Sequence, residues 1–202
     1  MRSKRVDTRR MVLLAMLGGI LLAMSFTPLG YLNIGPLAIS LNMIPVAIGA
    51  VALGPGGGAF LGAVFGITSC LQCVGIGGAS AMGIILFEIS PVLTILQRFV
   101  PRMLAGWLTG GVYRILRKLH FHYASHAAGF CAALFNTALF MGSLVLLFGN
   151  THYLQNLIAG RGILAFVLSF VGINVFVELL AATVTVGIVC RALEKLNMIG
   201  GK

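Results

Sequence analysis

From Met11 to Phe87 the chain carries 77 consecutive residues without a formal charge, and from Leu119 to Gly160 another 42. A helix that crosses a bilayer needs ~20 apolar residues, so each run has room for more than one crossing. Gly, Pro and basic residues divide the apolar stretches into six spans: Met11 to Pro28, Leu37 to Leu53, a third opening near Ala59, Pro101 to Leu116, Ala124 to Phe148, and Gly162 to Leu193. The expected fold is an all-α membrane protein with six transmembrane helices. Residues 1–10 form a basic N-terminus, 11–193 the membrane domain, and 194–202 a tail.

The stretch from Gly30 to Gly66 organises this pattern. It holds no Lys, Arg, Asp or Glu, and its polar groups Tyr31, Asn33, Ser40 and Asn42 crowd its first third. Pro45 falls inside the second span and is expected to kink it. Gly54-Pro55-Gly56-Gly57-Gly58 reads as a turn. It is no phosphate loop, because no Lys-Ser/Thr follows it. Gly58, Gly62 and Gly66 recur every four residues and predict close helix packing. Residues 69–101 are irregular, with an apolar piece, Met82 to Ile89, too short to span. Pro101 is expected to open the fourth helix, as proline favours the first helical position. The first apolar run is longer than a signal-peptide core and is expected to be retained.

Charge placement orients the spans. The chain is 59% hydrophobic, 9% charged and has a formal net charge of +10. That excess does not mark a nucleic-acid binder, since the basic residues lie at the ends of apolar runs and no recognition motif accompanies them. Eleven lie on the side of the termini: Arg2, Lys4, Arg5, Arg9, Arg10, Arg114, Arg117, Lys118, Arg191, Lys195 and Lys202. Three, Arg98, Arg102 and Arg161, lie on the other. The positive-inside rule then puts both termini in the cytoplasm of a multi-pass protein. The four cysteines are scattered; Cys70 and Cys73 have CxxC spacing but lack a second pair. His120, His122 and His126 have no nearby carboxylate, and no metal site is expected.

Candidate chemistry collects on the outer side. Arg98, Arg102 and Arg161 each lie near the start of an inward-running helix, where the dipole favours anions, and a guanidinium fork binds a carboxylate bidentately. Arg98 or Arg102 is expected to meet an acidic group on a ligand. Tyr31, Asn33, Asn42, Gln72, Gln97 and Asn136 add hydroxyl and amide groups for the same pocket. Glu178, sixteen residues into the last span or ~24 Å along it, is expected nearer the cytoplasm, as an internal hydrogen bond or a gate. Ser80 follows Gly78-Ala79, a loose likeness to an intramembrane serine protease that lacks the following glycine and a histidine in the last span. No nucleotide-binding motif is present.

Ala15, Gly19 and Ala23 form a small-residue stripe on the first helix, suited either to packing within the chain or to docking a separate membrane subunit. Together with SLNMIPVAIGAVALGPGGGAFLGAVFG, this stripe resembles the S components of bacterial energy-coupling factor (ECF) vitamin transporters. It is similar to their Ala-x-x-x-Ala motif, with Gly19 where that motif often has Ala. The resemblance extends over essentially the whole chain and implies a six-helix, substrate-capturing subunit in the cell membrane. It also implies partners: a transmembrane coupling subunit and two ATPases that supply ATP hydrolysis. No cofactor and no enzymatic activity are then expected in this chain. NIGPLAISLNMIP looks most like the pantothenate-type members, which implies a small carboxylate ligand. Riboflavin, folate, cobalamin, thiamine and queuosine-precursor members share the fold. A stand-alone carrier or an intramembrane hydrolase stays open beside them.

Overall fold

Helices replace nearly all of the uncharged runs. The computed structural model describes residues 8–27, 30–33, 38–77, 80–158 and 162–196, with backbone alone for 31–33, 38–39, 157, 162–171 and 173–174. In chain order the elements are α1 (Thr8–Ser25), β1 (Tyr31–Asn33), β2 (Ala38–Ser40), α2 (Met43–Leu53), α3 (Pro55–Cys73), α4 (Ala81–Ile89), α5 (Pro91–Lys118), α6 (Ala124–Phe148), α7 (His152–Ile158) and α8 (Gly162–Lys195). By length and composition α1, α3, α6 and the Val175–Lys195 part of α8 can each cross a membrane. The molecule is a multi-pass helical membrane protein.

Four expectations about the spans change. The second helix begins at Met43, not Leu37, because Ala38–Ser40 pairs antiparallel with Tyr31–Asn33 in the register Tyr31↔Ser40, Leu32↔Ile39 and Asn33↔Ala38. At 11 residues α2 is only ~16 Å long, about half the ~30 Å hydrocarbon thickness. Pro45 then sits in the first turn, where its missing N–H has no intrahelical acceptor to lose, so it has no reason to kink the helix. α5 begins at Pro91, ten residues before the expected start, and carries Pro101 in its interior. α8 is broken at Gly172, whose φ of 30° and ψ of −144° leave the helical region.

Glycines set the tightest contact, between α3 and α5. A Cβ added to Gly58 would strike the Gly106 carbonyl, and one added to Gly106 would strike the Gly58 carbonyl. Gly62 lies against the Arg102 carbonyl, Gly66 against Phe99 and Gly110 against Pro55. The expected packing role of Gly58, Gly62 and Gly66 therefore holds, with α5 as the partner helix. Leu13, Leu17 and Leu21 of α1 bury against α2 and α3 in one apolar cluster that includes Val46, Leu61 and Phe65. A second cluster joins Leu86 of α4, Met141, Leu144 and Phe148 of α6, and Leu154 of α7.

The start of α1, the α2–α3 turn and the end of α5 share one end of the bundle, where Arg10, Gly54 and Arg114 line the same groove. The end of α8 joins them through the Arg117–Glu194 ion pair at 3.8 Å. Both ends of the described chain thus lie near the end of α5.

Candidate functional site

α5 projects Gln97, Arg98 and Arg102 into the interior between the two apolar clusters. Arg98 spans three elements: its Nη1 donates to Ser69 Oγ on α3 at 3.2 Å, and its Nη2 to Ser80 Oγ at 3.1 Å. Ser80 is the N-cap of α4 and also accepts from the Gly83 backbone N–H at 3.2 Å. Arg102 donates from Nη1 to the Arg98 carbonyl at 2.7 Å. Its guanidinium carbon lies 4.5 Å from the ring centre of Phe65 and 5.0 Å from that of Phe140, while that of Arg98 lies 5.4 Å from Phe140. Phe65 belongs to the first apolar cluster and Phe140 packs on the second, so Arg102 stands at their junction.

Burying guanidinium groups costs several kcal/mol each without compensation. Here π faces contribute ~2 kcal/mol when desolvated, and charged hydrogen bonds add roughly 1.5–3 kcal/mol. Arg98 and Arg102 are only 5% and 6% exposed. Glu178 of α8 brings a carboxylate to the β ribbon. Its Oε1 accepts the Ser40 backbone N–H at 2.6 Å, fixing the β ribbon to α8. The expected internal hydrogen bond is present, but Glu178 lies level with the ribbon. A depth counted along an unbroken helix misplaces it; the break at Gly172 puts Glu178 early in the part of α8 that follows.

Three amides complete the cluster. Gln97 and Asn42 are 0% exposed and Asn136 is 8% exposed. Both polar atoms of the Gln97 and Asn42 side chains, and Asn136 Oδ1, have no hydrogen-bond partner among the described residues. A buried unsatisfied polar group costs roughly 1–3 kcal/mol, so these three amides are not a stability feature. Asn42 follows the Glu178-bound Ser40 by two residues, Gln97 precedes Arg98, and Asn136 is one helical turn from Phe140. The structure brings Arg98 and Arg102 together at the Phe140 ring, and Gln97, Asn42 and Asn136 are buried on α5, at the start of α2 and on α6.

Gln72 stands apart: its Nε2 donates to the Ser25 carbonyl at 2.8 Å and joins α3 to the end of α1. Tyr31 and Asn33 form β1, but their side chains lie outside the described residues, as does all of Arg161. Ser80 works as a helix cap and an acceptor for Arg98, which explains its placement without a nucleophilic role. Ser69, Phe65 and Phe140 were missed in the sequence. The four-residue spacings Phe65–Ser69 and Asn136–Phe140 carried the signal, since each pair shares a helix face.

α1 turns Ala15, Gly19 and Ala23 outward, opposite the buried Leu13, Leu17 and Leu21. A Cβ on Gly19 would meet nothing within 4 Å. Among the described residues the stripe is not a packing face.

The sequence model of a family described as "ECF transporter, substrate-specific component" matches residues 9–190. The chain belongs to that family. This S component is accordingly a membrane transport subunit, and its family associates with the components of an ECF module. It is also similar to the pantothenic acid transporter PanT of Lactococcus lactis subsp. cremoris (strain MG1363), with 29% identity over 130 residues. That alignment covers 59% of this S component and 64% of the relative, a little under two thirds of the latter's length.

Proposed function

We propose that this S component captures pantothenate at the polar junction and is the vitamin-binding subunit of an ATP-driven importer. One observation carries the reading: the guanidinium groups of Arg98 and Arg102 are buried together against Phe140, and the buried amides of Gln97, Asn42 and Asn136 have polar atoms without a hydrogen-bond partner among the described residues. A ligand with one carboxylate, hydroxyls and an amide matches that inventory. Its carboxylate meets the cationic pair, and its neutral groups satisfy Gln97, Asn42 and Asn136. The likeness to a relative described as a pantothenic acid transporter supports the same substrate. Gln72 is left out of the proposed contacts.

In this reading the chain lies in the bacterial cell membrane with six crossings and both termini in the cytoplasm, the site facing outward. α2 with its ribbon and α5 supply the two crossings beyond the four long apolar helices. The outward stripe Ala15, Gly19 and Ala23 docks the transmembrane coupling subunit, and two partner ATPases hydrolyse ATP. Small residues there let a partner helix approach closely.

Calorimetric titration of the purified chain with pantothenate and a panel of other vitamins tests the proposal. The expected result is tight binding of pantothenate, weakened tenfold to a hundredfold by Arg98→Gln, the worth of about 1.5–3 kcal/mol in charged hydrogen bonds. Tight binding of a different vitamin discards the substrate and keeps the subunit class. Binding of none of them favours a stand-alone carrier.

A further inference from the structure

At the basic end of the bundle, away from the polar junction, a groove of about 380 Å³ opens between α1, the α2–α3 turn and α5. Arg10, Gly54, Tyr113, Arg114, Arg117 and Lys118 contribute to its lining. The charge of Arg117 is met by Glu194 at 3.8 Å, and its Nη1 also donates to Tyr113 Oη at 3.1 Å. Arg114 and Lys118 have no carboxylate partner among the described residues.

A second feature points to the same ligand chemistry. Gly54, at φ 83°, is the N-cap of the 19-residue α3. A Cβ at Gly54 would lie 3.3 Å from Arg114 Nη2, so this guanidinium stands over the helix start. Gly56 is exposed, and a Cβ there would meet nothing within 4 Å, which leaves the backbone at Gly56 open to approach. The positive end of a helix dipole, open backbone at Gly56 and two uncompensated cations together suit a compact, multiply charged oxyanion. Met11, Ile115 and Leu119, each next in sequence to a basic residue of the groove, are exposed apolar side chains. That adjacency favours an anion carrying acyl chains over an acidic protein segment.

We propose that this groove binds a phosphate group, supplied by an anionic lipid headgroup or by free phosphate. Basic pockets among helix ends hold lipid phosphates through the same charge attraction. The site does not depend on the vitamin-binding reading, since none of its residues belongs to the polar junction.

Native mass spectrometry of the full chain, with phosphatidylglycerol or phosphatidylcholine added and with or without inorganic phosphate, tests it. Phosphatidylglycerol is expected to be retained in preference to phosphatidylcholine. Arg114→Gln with Lys118→Gln should lower that retention roughly tenfold or more, while Lys195→Gln, which lies outside the groove, leaves it unchanged. Displacement of the lipid by inorganic phosphate would identify the free anion as an occupant, and no displacement would identify the lipid. Thermal unfolding checks that the double variant is folded; if it is not, Lys118→Gln alone should still give a severalfold loss. Equal loss on Lys195→Gln, or full retention by the groove variants, would overturn the proposal. So would unchanged lipid and phosphate binding accompanied by lost capture of an acidic partner segment.

Discussion

The backbone N–H of Ser40 donates to the carboxylate of Glu178, 138 residues further along the chain, at 2.6 Å. A two-stranded ribbon is marginal by itself, and in a membrane setting its backbone groups need partners within the protein. Glu178 supplies one of them. Glu178→Leu removes the acceptor and leaves a buried N–H, so a stability loss of about 1–3 kcal/mol is expected. Glu178→Gln keeps an acceptor and should lose less. Thermal unfolding in detergent ranks the two, and an equal effect would show that the hydrogen bond is not what matters.

Gln97 offers a separation of stability from binding. Its amide is fully buried and without a partner among the described residues, so an apolar side chain of similar size relieves an unmet polar group. Gln97→Met should leave the unfolding temperature unchanged or raised, and should weaken pantothenate binding severalfold or more. Loss of both together would make Gln97 a structural residue.

The α3–α5 seam tolerates no side chain at Gly62, where a Cβ meets the Arg102 carbonyl. Gly62→Leu forces the helices apart, with an expected loss of at least about 1–3 kcal/mol from overpacking. Because Arg102 lies on the displaced backbone, binding should fall too. Gly19→Leu, at an open position, is the matching control and should leave both unchanged. The pair is compared by unfolding and calorimetry.

Ala15 and Ala23 are exposed on α1. Ala15→Trp or Ala23→Trp is expected to leave vitamin binding intact and to abolish uptake and co-purification with the coupling subunit. Parallel loss of binding and uptake would assign the stripe to folding of this chain.

Much of the architecture could be read from the chain because it rests on local rules. α6 occupies Ala124–Phe148 as expected, since an uninterrupted apolar run has no alternative in lipid. The glycine spacing 58, 62, 66 announced a close contact but could not name its partner, which required Gly106 and Gly110 on a distant helix. Leu37 to Leu41 passes for the start of an apolar helix until Tyr31–Asn33 is available to pair with Ala38–Ser40. The start of α5 was hidden because Gln97, Arg98 and Pro101 look like interruptions. They are tolerated because Ser69, Ser80, Phe65 and Phe140 receive the cations from other helices. Gly172 gives no sign in sequence that it breaks α8, and this displaced the expected depth of Glu178. Arg98 and Arg102 were visible as misplaced charges; their hydroxyl and aromatic partners were not.

The contact of Gly62 with the Arg102 carbonyl makes the site mechanically unequal on its two sides. The cationic wall hangs on a joint where backbone meets backbone. Glu178 sits past a helix break, where it accepts the Ser40 backbone N–H of a three-residue strand. A ligand entering between them would find one wall fixed and one wall able to yield, and any displacement on loading would be taken up by the ribbon and the start of the Val175–Lys195 segment.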